Sequence, residues 1–101
     1  MAIQMNVAES KFGIPFNSAY FRIVGVNISR TLSPDIKFFA NIDISGYAQE
    51  PTDPRTTEID FRRLQANLND IESLEGATFI SKCYVWVMSH PDIINSGAIA
   101  I

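Results

Sequence analysis

One cysteine, one histidine, five glycines and five prolines in 101 residues leave little for cross-linking, metal binding or repeat structure. Cys83 alone forms no internal disulfide, which excludes a disulfide scaffold and is consistent with a reducing compartment. A zinc centre takes four ligands, mostly Cys and His, and one of each does not supply them. A single imidazole also excludes a His pair or a nucleophile–His–carboxylate triad within one chain. The Gly and Pro counts exclude a collagen-like repeat and a low-complexity chain. Charged residues are 19%, below the roughly 25% usual for soluble domains.

Cations are scarce as well. Eight Lys and Arg against eleven Asp and Glu give a formal charge of −3, and Arg62-Arg63 is the only adjacent basic pair. Nucleic-acid binders carry a basic stripe that neutralises phosphates, so nucleic acid is not an expected partner. No basic amphipathic membrane helix is present. The charge-free stretch Cys83–Pro91 is interrupted by Ser89, His90 and Pro91, far short of the roughly 20 apolar residues of a membrane span. Met1-Ala2-Ile3-Gln4-Met5-Asn6 lacks the positive region and apolar run of a signal peptide. The expectation is a soluble chain made in the cytoplasm, with no membrane partner.

What is abundant is apolar: hydrophobic residues make up 47% of the chain. The length fits one domain over 1–101. A globule of this size buries only roughly 60–70% of the surface of its unfolded chain. Apolar residues in excess of that core need cover from elsewhere.

Period-two alternation predicts most of the elements. Ile3, Met5 and Val7 alternate with Gln4 and Asn6, giving a short half-buried strand over 3–8. Lys11–Ser18 gathers Gly13, Pro15 and Asn17, a loop signature, yet carries Phe12, Ile14 and Phe16. Ala19–Arg30 is β-branched and aromatic. Strict alternation puts Tyr20, Arg22, Val24, Val26 and Ile28 on one face and Phe21, Ile23, Gly25, Asn27 and Ser29 on the other. Ser33-Pro34-Asp35 is a turn signature. Ile36–Tyr47 alternates most clearly, so the two long strands are expected as an antiparallel hairpin. Glu50–Arg55, with two prolines, breaks regular structure. Thr57, Ile59 and Phe61 alternate with Glu58, Asp60 and Arg62, a fourth strand. Asn67–Glu75 reads as loop with one helical turn.

Gly76–Ser89 fits two patterns. Phe79, Ile80, Cys83, Tyr84, Val87 and Met88 recur at spacings of one, three and four, a helical stripe. Tyr84-Val85-Trp86-Val87 alone would pass as a strand. The helical count fits better over the whole window, and Pro91 supplies a stop. The segment 93–101 is almost wholly apolar, whereas chain ends are usually polar and frayed. Left bare it would invite aggregation, so its own sheet or another chain must cover it.

Reactive groups reduce to structural readings. His90 precedes Pro91 at a helix end and reads as a cap or surface residue. Cys83 on the apolar stripe reads as a small core hydrophobe. Asp60, Asp70, Glu72 and Glu75 lack the spacing of a calcium loop. No phosphate-cradling glycine motif occurs. The aromatics Phe12, Phe16, Phe39, Tyr47 and Trp86 fall off the cleanest core stripes and fit a protein contact surface, since contact anchors are commonly Trp, Tyr and Arg.

Two stretches carry a family likeness. One runs from Ile3-Gln4-Met5-Asn6-Val7 through Phe12-Gly13-Ile14 to Asn17-Ser18-Ala19-Tyr20-Phe21-Arg22-Ile23. The other is Ala77–Asp92, ending Ser89-His90-Pro91-Asp92. Over roughly half the chain this layout resembles small tailed-bacteriophage structural proteins. These open with a short strand, enter the sheet through Asn-x-Ala-Tyr-x-Arg-Ile and close with a helix running into a Leu-Pro-Glu-like stop. The resemblance implies a virion protein of the tail, baseplate or fibre-attachment region, with no enzyme activity, no cofactor and no active-site residues to transfer.

The expected fold is α+β: an antiparallel sheet of about four or five strands with one helix near the C-terminus packed on one face. The expected function is assembly in multiple copies, with itself and other virion proteins as partners. The expected contact residues are Phe12, Ile14, Phe16, Trp86, Ile99 and Ile101, apolar residues in loop, helix or terminal positions. Deletion of 93–101 is expected to leave the domain folded and to disrupt assembly. A capsid decoration or head-completion protein is one alternative, and a small peptide- or sugar-binding module is another.

Overall fold

The computed structural model describes residues 2–30, 38–53 and 55–101. The expected Ser33-Pro34-Asp35 turn, and the Ile36-Lys37 start of the strand after it, lie outside the described residues. Five strands form one antiparallel sheet: β1 (Ile3–Val7), β2 (Phe16–Arg30), β3 (Phe38–Tyr47), β4 (Asp60–Asn67) and β5 (Ile99–Ala100). The spatial order is β4-β3-β2-β1-β5. Strands β2, β3 and β4 each lie beside their predecessor, and the chain returns at its end to cover the free edge of β1. Helices α1 (Leu68–Glu72), α2 (Phe79–Ser89) and α3 (Pro91–Ile94) fill the interval between β4 and β5. The class is thus α+β with sheet predominant, and three helical segments stand among the described residues where one was expected.

One face of the sheet is the core. Ile3 and Met5 of β1 stand beside Phe21 and Ala19 of β2, and Phe21 stands beside Gly46 of β3. Ala40, Ile42 and Ile44 continue the layer, and all of these side chains except the glycine are buried. Ile71 of α1, Cys83 and Val87 of α2 and Ile93 of α3 join the same buried cluster. Each large aliphatic or aromatic side chain removed from water in this way stabilises the fold by about 1.5–3 kcal/mol.

Strict alternation fails twice. The β1–β2 register shifts between Met5 and Val7, and the β2–β3 register shifts between Ile23 and Gly25, leaving Val24 bulged and half exposed. Beyond the bulge Val26 pairs with Ile42 and Ile28 with Ala40, so both turn to the core side of the sheet, where Val26 packs against the core and Ile28 stays about half exposed, while Asn27 and Ser29 turn to the opposite face. The two faces predicted for 19–30 are therefore exchanged after Ile23. An extra residue opposite one on the partner strand is what a bulge supplies. The backbone N–H of Ile23 at this irregularity donates to Tyr84 Oη of α2 at 2.9 Å.

Strand boundaries differ from the expected ones where pairing overrides local pattern. β2 begins at Phe16, inside the predicted loop, because Phe16 pairs with Val7. β4 runs over 60–67 rather than 57–62, because Leu64 and Ala66 stand opposite Ile42 and Ala40. The helical reading of 76–89 holds from Phe79, where the Thr78 side chain accepts from Ser81 N–H, the usual work of an N-cap. His90 ends α2 and begins α3. Its Nδ1 accepts from Asp92 N–H, and Pro91 takes the first helical position.

Candidate functional site

The six expected contact residues fall into three places. Phe12 and Ile14 sit on a tight turn in which Ser10 N–H donates to the Ile14 carbonyl and Gly13 N–H to the Ser10 carbonyl. Gly13 has φ +73°, the left-handed region that a residue without Cβ enters freely. Lys11 anchors the turn twice: its N–H donates to the Ile59 carbonyl and its ammonium pairs with Glu58. Glu58 also accepts from the buried Ser45 hydroxyl at 2.8 Å. Burial acts to raise Glu58, but the hydrogen bonds from Lys11 and Ser45 and the Lys11 charge outweigh it and hold the carboxyl below its ordinary range. Phe12 and Ile14 are more than half exposed on this ordered support.

Phe16 and Trp86 are placed differently. Both are partly buried and pack against the core. Phe16 opens β2 at the base of the turn, and Trp86 stands 5.6 Å from the His90 ring at a tilt of 60°.

Ile99 and Ile101 occupy the β5 edge. Ala2 and Ile101 exchange two backbone hydrogen bonds, and Ile3 and Gln4 pair with Ala100 and Ile99. Of the two covers foreseen for the tail, its own sheet therefore takes the backbone. The Ile99 and Ile101 side chains remain 53% and 54% exposed. Ile93 belongs to the core, so deleting 93–101 removes a buried residue as well as the edge strand.

Between α2 and this edge runs an apolar groove of about 450 Å³, lined by Ile3, Tyr84, Val85, Met88, Ala100 and Ile101 among others. Sequence reasoning did not single out Val85, Met88 or Ala100. The signal was present in part, since Met88 lies on the helical stripe. Ala100 gained a role only through its register with Ile3.

Chemistry-bearing groups are otherwise engaged in structure. Cys83 is buried, and burial pushes its thiol up. Tyr84 is likewise pushed up, chiefly by burial. The Arg63 guanidinium holds the Asp43 carboxyl below its ordinary range through two hydrogen bonds across β3 and β4. Arg62 stacks over the Phe21 ring at 5.7 Å and pairs with Asp60, at the margin of a second, more polar groove of about 480 Å³ beside Asn6, Asn17 and Ser96. Among the described residues no group of three or more His, Cys, Asp or Glu converges on a point that could hold a metal ion, and no helix is long and apolar enough to cross a membrane. Comparison with protein-family models, with curated proteins and with solved structures gives no match.

Proposed function

We propose that this chain is a non-enzymatic structural protein that works by assembly, in multiple copies, as part of a tailed-bacteriophage particle in the tail, baseplate or fibre-attachment region. The observation that carries the assembly reading is apolar surface held outward by ordered structure. Phe12 and Ile14 project from a hydrogen-bonded turn, and Ile99 and Ile101 from a paired strand. Ile80, Val85 and Ile94 add further exposed side chains on α2 and α3. Such surface is stable in use when a neighbour covers it. In this reading α2 is the one helix near the C-terminus that seats on a sheet face, with Cys83, Tyr84 and Val87 turned inward and Val85 outward.

The placement on a phage particle rests on the sequence layout of 3–23 and 77–92. Its test is compositional. Mass spectrometry of purified particles from a phage encoding this chain should find it in several copies per particle. Its absence from particles, with the chain abundant in the infected cell, would overturn the virion assignment.

A further inference from the structure

The assembly reading leaves open which surface meets which. The two sheet edges differ in a way that decides it. The outer strand β4 carries Asp60, Arg62 and Arg63, and charged side chains on an edge oppose strand addition. The other outer strand, β5, carries none. From Cys83 to Ile101 the one charged side chain is Asp92. On α2, Lys82 is directed to the Glu72 carbonyl at 3.3 Å. Glu50 approaches only the margin, in a small groove with Ala2, Tyr20 and Ile101.

We propose that the β5 edge and the groove beside it form a two-fold interface with a second copy of this chain. A two-fold contact brings a surface against itself, so every charged side chain on it is taken from water beside its own symmetry mate. On β4 that would desolvate the Arg62–Asp60 and Arg63–Asp43 pairs of both copies, a cost that the uncharged β5 edge does not carry. Hydrogen-bond geometry sets the register. Ala2 and Ile101 exchange both of their hydrogen bonds, so Ile3 and Ala100 form the alternate, non-bonded pair. The N–H and C=O of Ala100 therefore point away from β1, toward open space. Antiparallel pairing about an axis through Ala100 lets the two copies of that residue exchange their N–H···O=C bonds, and sets Ile99 of each beside Ile101 of the other.

The symmetry fixes the rest. An axis perpendicular to the sheet keeps both helical layers on the same side, so the two grooves flank the axis with Val85 and Met88 of each copy facing the neighbour. The four isoleucines meet on the opposite face of a continuous ten-stranded sheet.

The inference rests on the assembly reading and is tested by sedimentation equilibrium of the full chain and three sets of variants. Wild type should have twice the chain mass or an even multiple of it. Ile99→Lys puts a charge on the exposed contact, and Ala100→Pro removes the outward N–H without taking a bond from β1. Each should at least halve the mass while keeping the circular dichroism spectrum of the wild type. In a Cys83→Ser background, Ile99→Cys and Ile101→Cys chains mixed under reducing conditions and then oxidised should form an intermolecular disulfide. Either chain oxidised alone should not, because only opposite positions reach disulfide distance. An oligomer unchanged by both Ile99→Lys and Ala100→Pro, or one that fails to cross-link in the mixture, overturns this interface and leaves the assembly reading standing. A single-chain mass at every concentration overturns both.

Discussion

Gly46 shows how tightly single residues constrain this core. A Cβ at that position would lie 2.4 Å from the Phe21 ring, whose edge occupies the space a side chain would need. The ring is also covered by Arg62 and has little room to withdraw. Gly46→Ala should destabilise the protein by about 1–3 kcal/mol, the usual cost of overpacking, read as a lowered urea midpoint at unchanged slope. A midpoint equal to wild type would show that Phe21 moves freely. Tyr84 makes a second such point. Its hydroxyl accepts from the Ile23 N–H at the β2 irregularity, so Tyr84→Phe leaves that donor without a partner. The expected loss is about 1–3 kcal/mol. Retained stability would mean that solvent satisfies the N–H. The helical stripe placed Tyr84 on an inward face but did not show its bond to Ile23, and the demand on Gly46 comes from a ring 25 positions earlier in the chain.

The elements divide by how local their determinants are. β1, the middle of β3 and α2 were legible because each repeats its own period over enough residues to declare a face. The change of face in β2 was legible only in part. Apolar residues shift phase between Ile23 and Val26, but nothing nearby says whether a bulge absorbs the shift. The displacement of β4 to 60–67 was not legible, because it is fixed by pairing with β3 and not by Thr57, Ile59 and Phe61 themselves. The same holds for the proposed contact residues. Exposed residues at Phe12, Ile14, Ile99 and Ile101 followed from apolar character in a loop or tail, whereas Phe16 and Trp86 were drawn toward the core by strand pairing and helix packing.

The turn over 10–14 also has a pH dependence at this scale. Glu58 has its carboxyl pKa lowered in the folded protein, so its contribution is present above the ordinary value of 4.5 and is lost as pH falls through the lower folded value. Acidification through that lowered value should release Lys11 and Ser45 and speed amide exchange at Lys11, after correction for the intrinsic pH dependence of exchange. Glu58→Gln should show the faster exchange already at neutral pH, and equal protection in the two proteins would remove Glu58 from the anchoring of the turn. The tail separates into two roles as well. Removing 98–101 takes away the edge strand and spares Ile93, whereas removing 93–101 opens the core. The longer truncation should lower stability by about 2–5 kcal/mol more than the shorter, the range for emptying a buried aliphatic site. Equal thermal midpoints would contradict the placement of Ile93.

At the scale of the whole molecule, the shape agrees with the composition. The long β2–β3 pair sets a longest dimension of 44 Å against 28 and 27 Å, and the radius of gyration is 14.4 Å, where a compact chain of this length would have about 13 Å. The accessible surface is 6388 Å², above the roughly 5,700 Å² of a typical monomer of this mass. An elongated sheet with helices contributing to one buried layer leaves apolar side chains outside, and 19% charge offers little to dilute them. Capsid decoration would use the same surplus, so the proposed place on a particle is a question for the particles, whereas the proposed need for a covering neighbour can be read on this chain alone. That need is tested most directly by the molar mass of the purified full chain in solution, followed by light scattering over a dilution series. The mass should exceed that of one chain and fall only on dilution. A constant single-chain mass in a concentrated solution that stays clear would contradict the account.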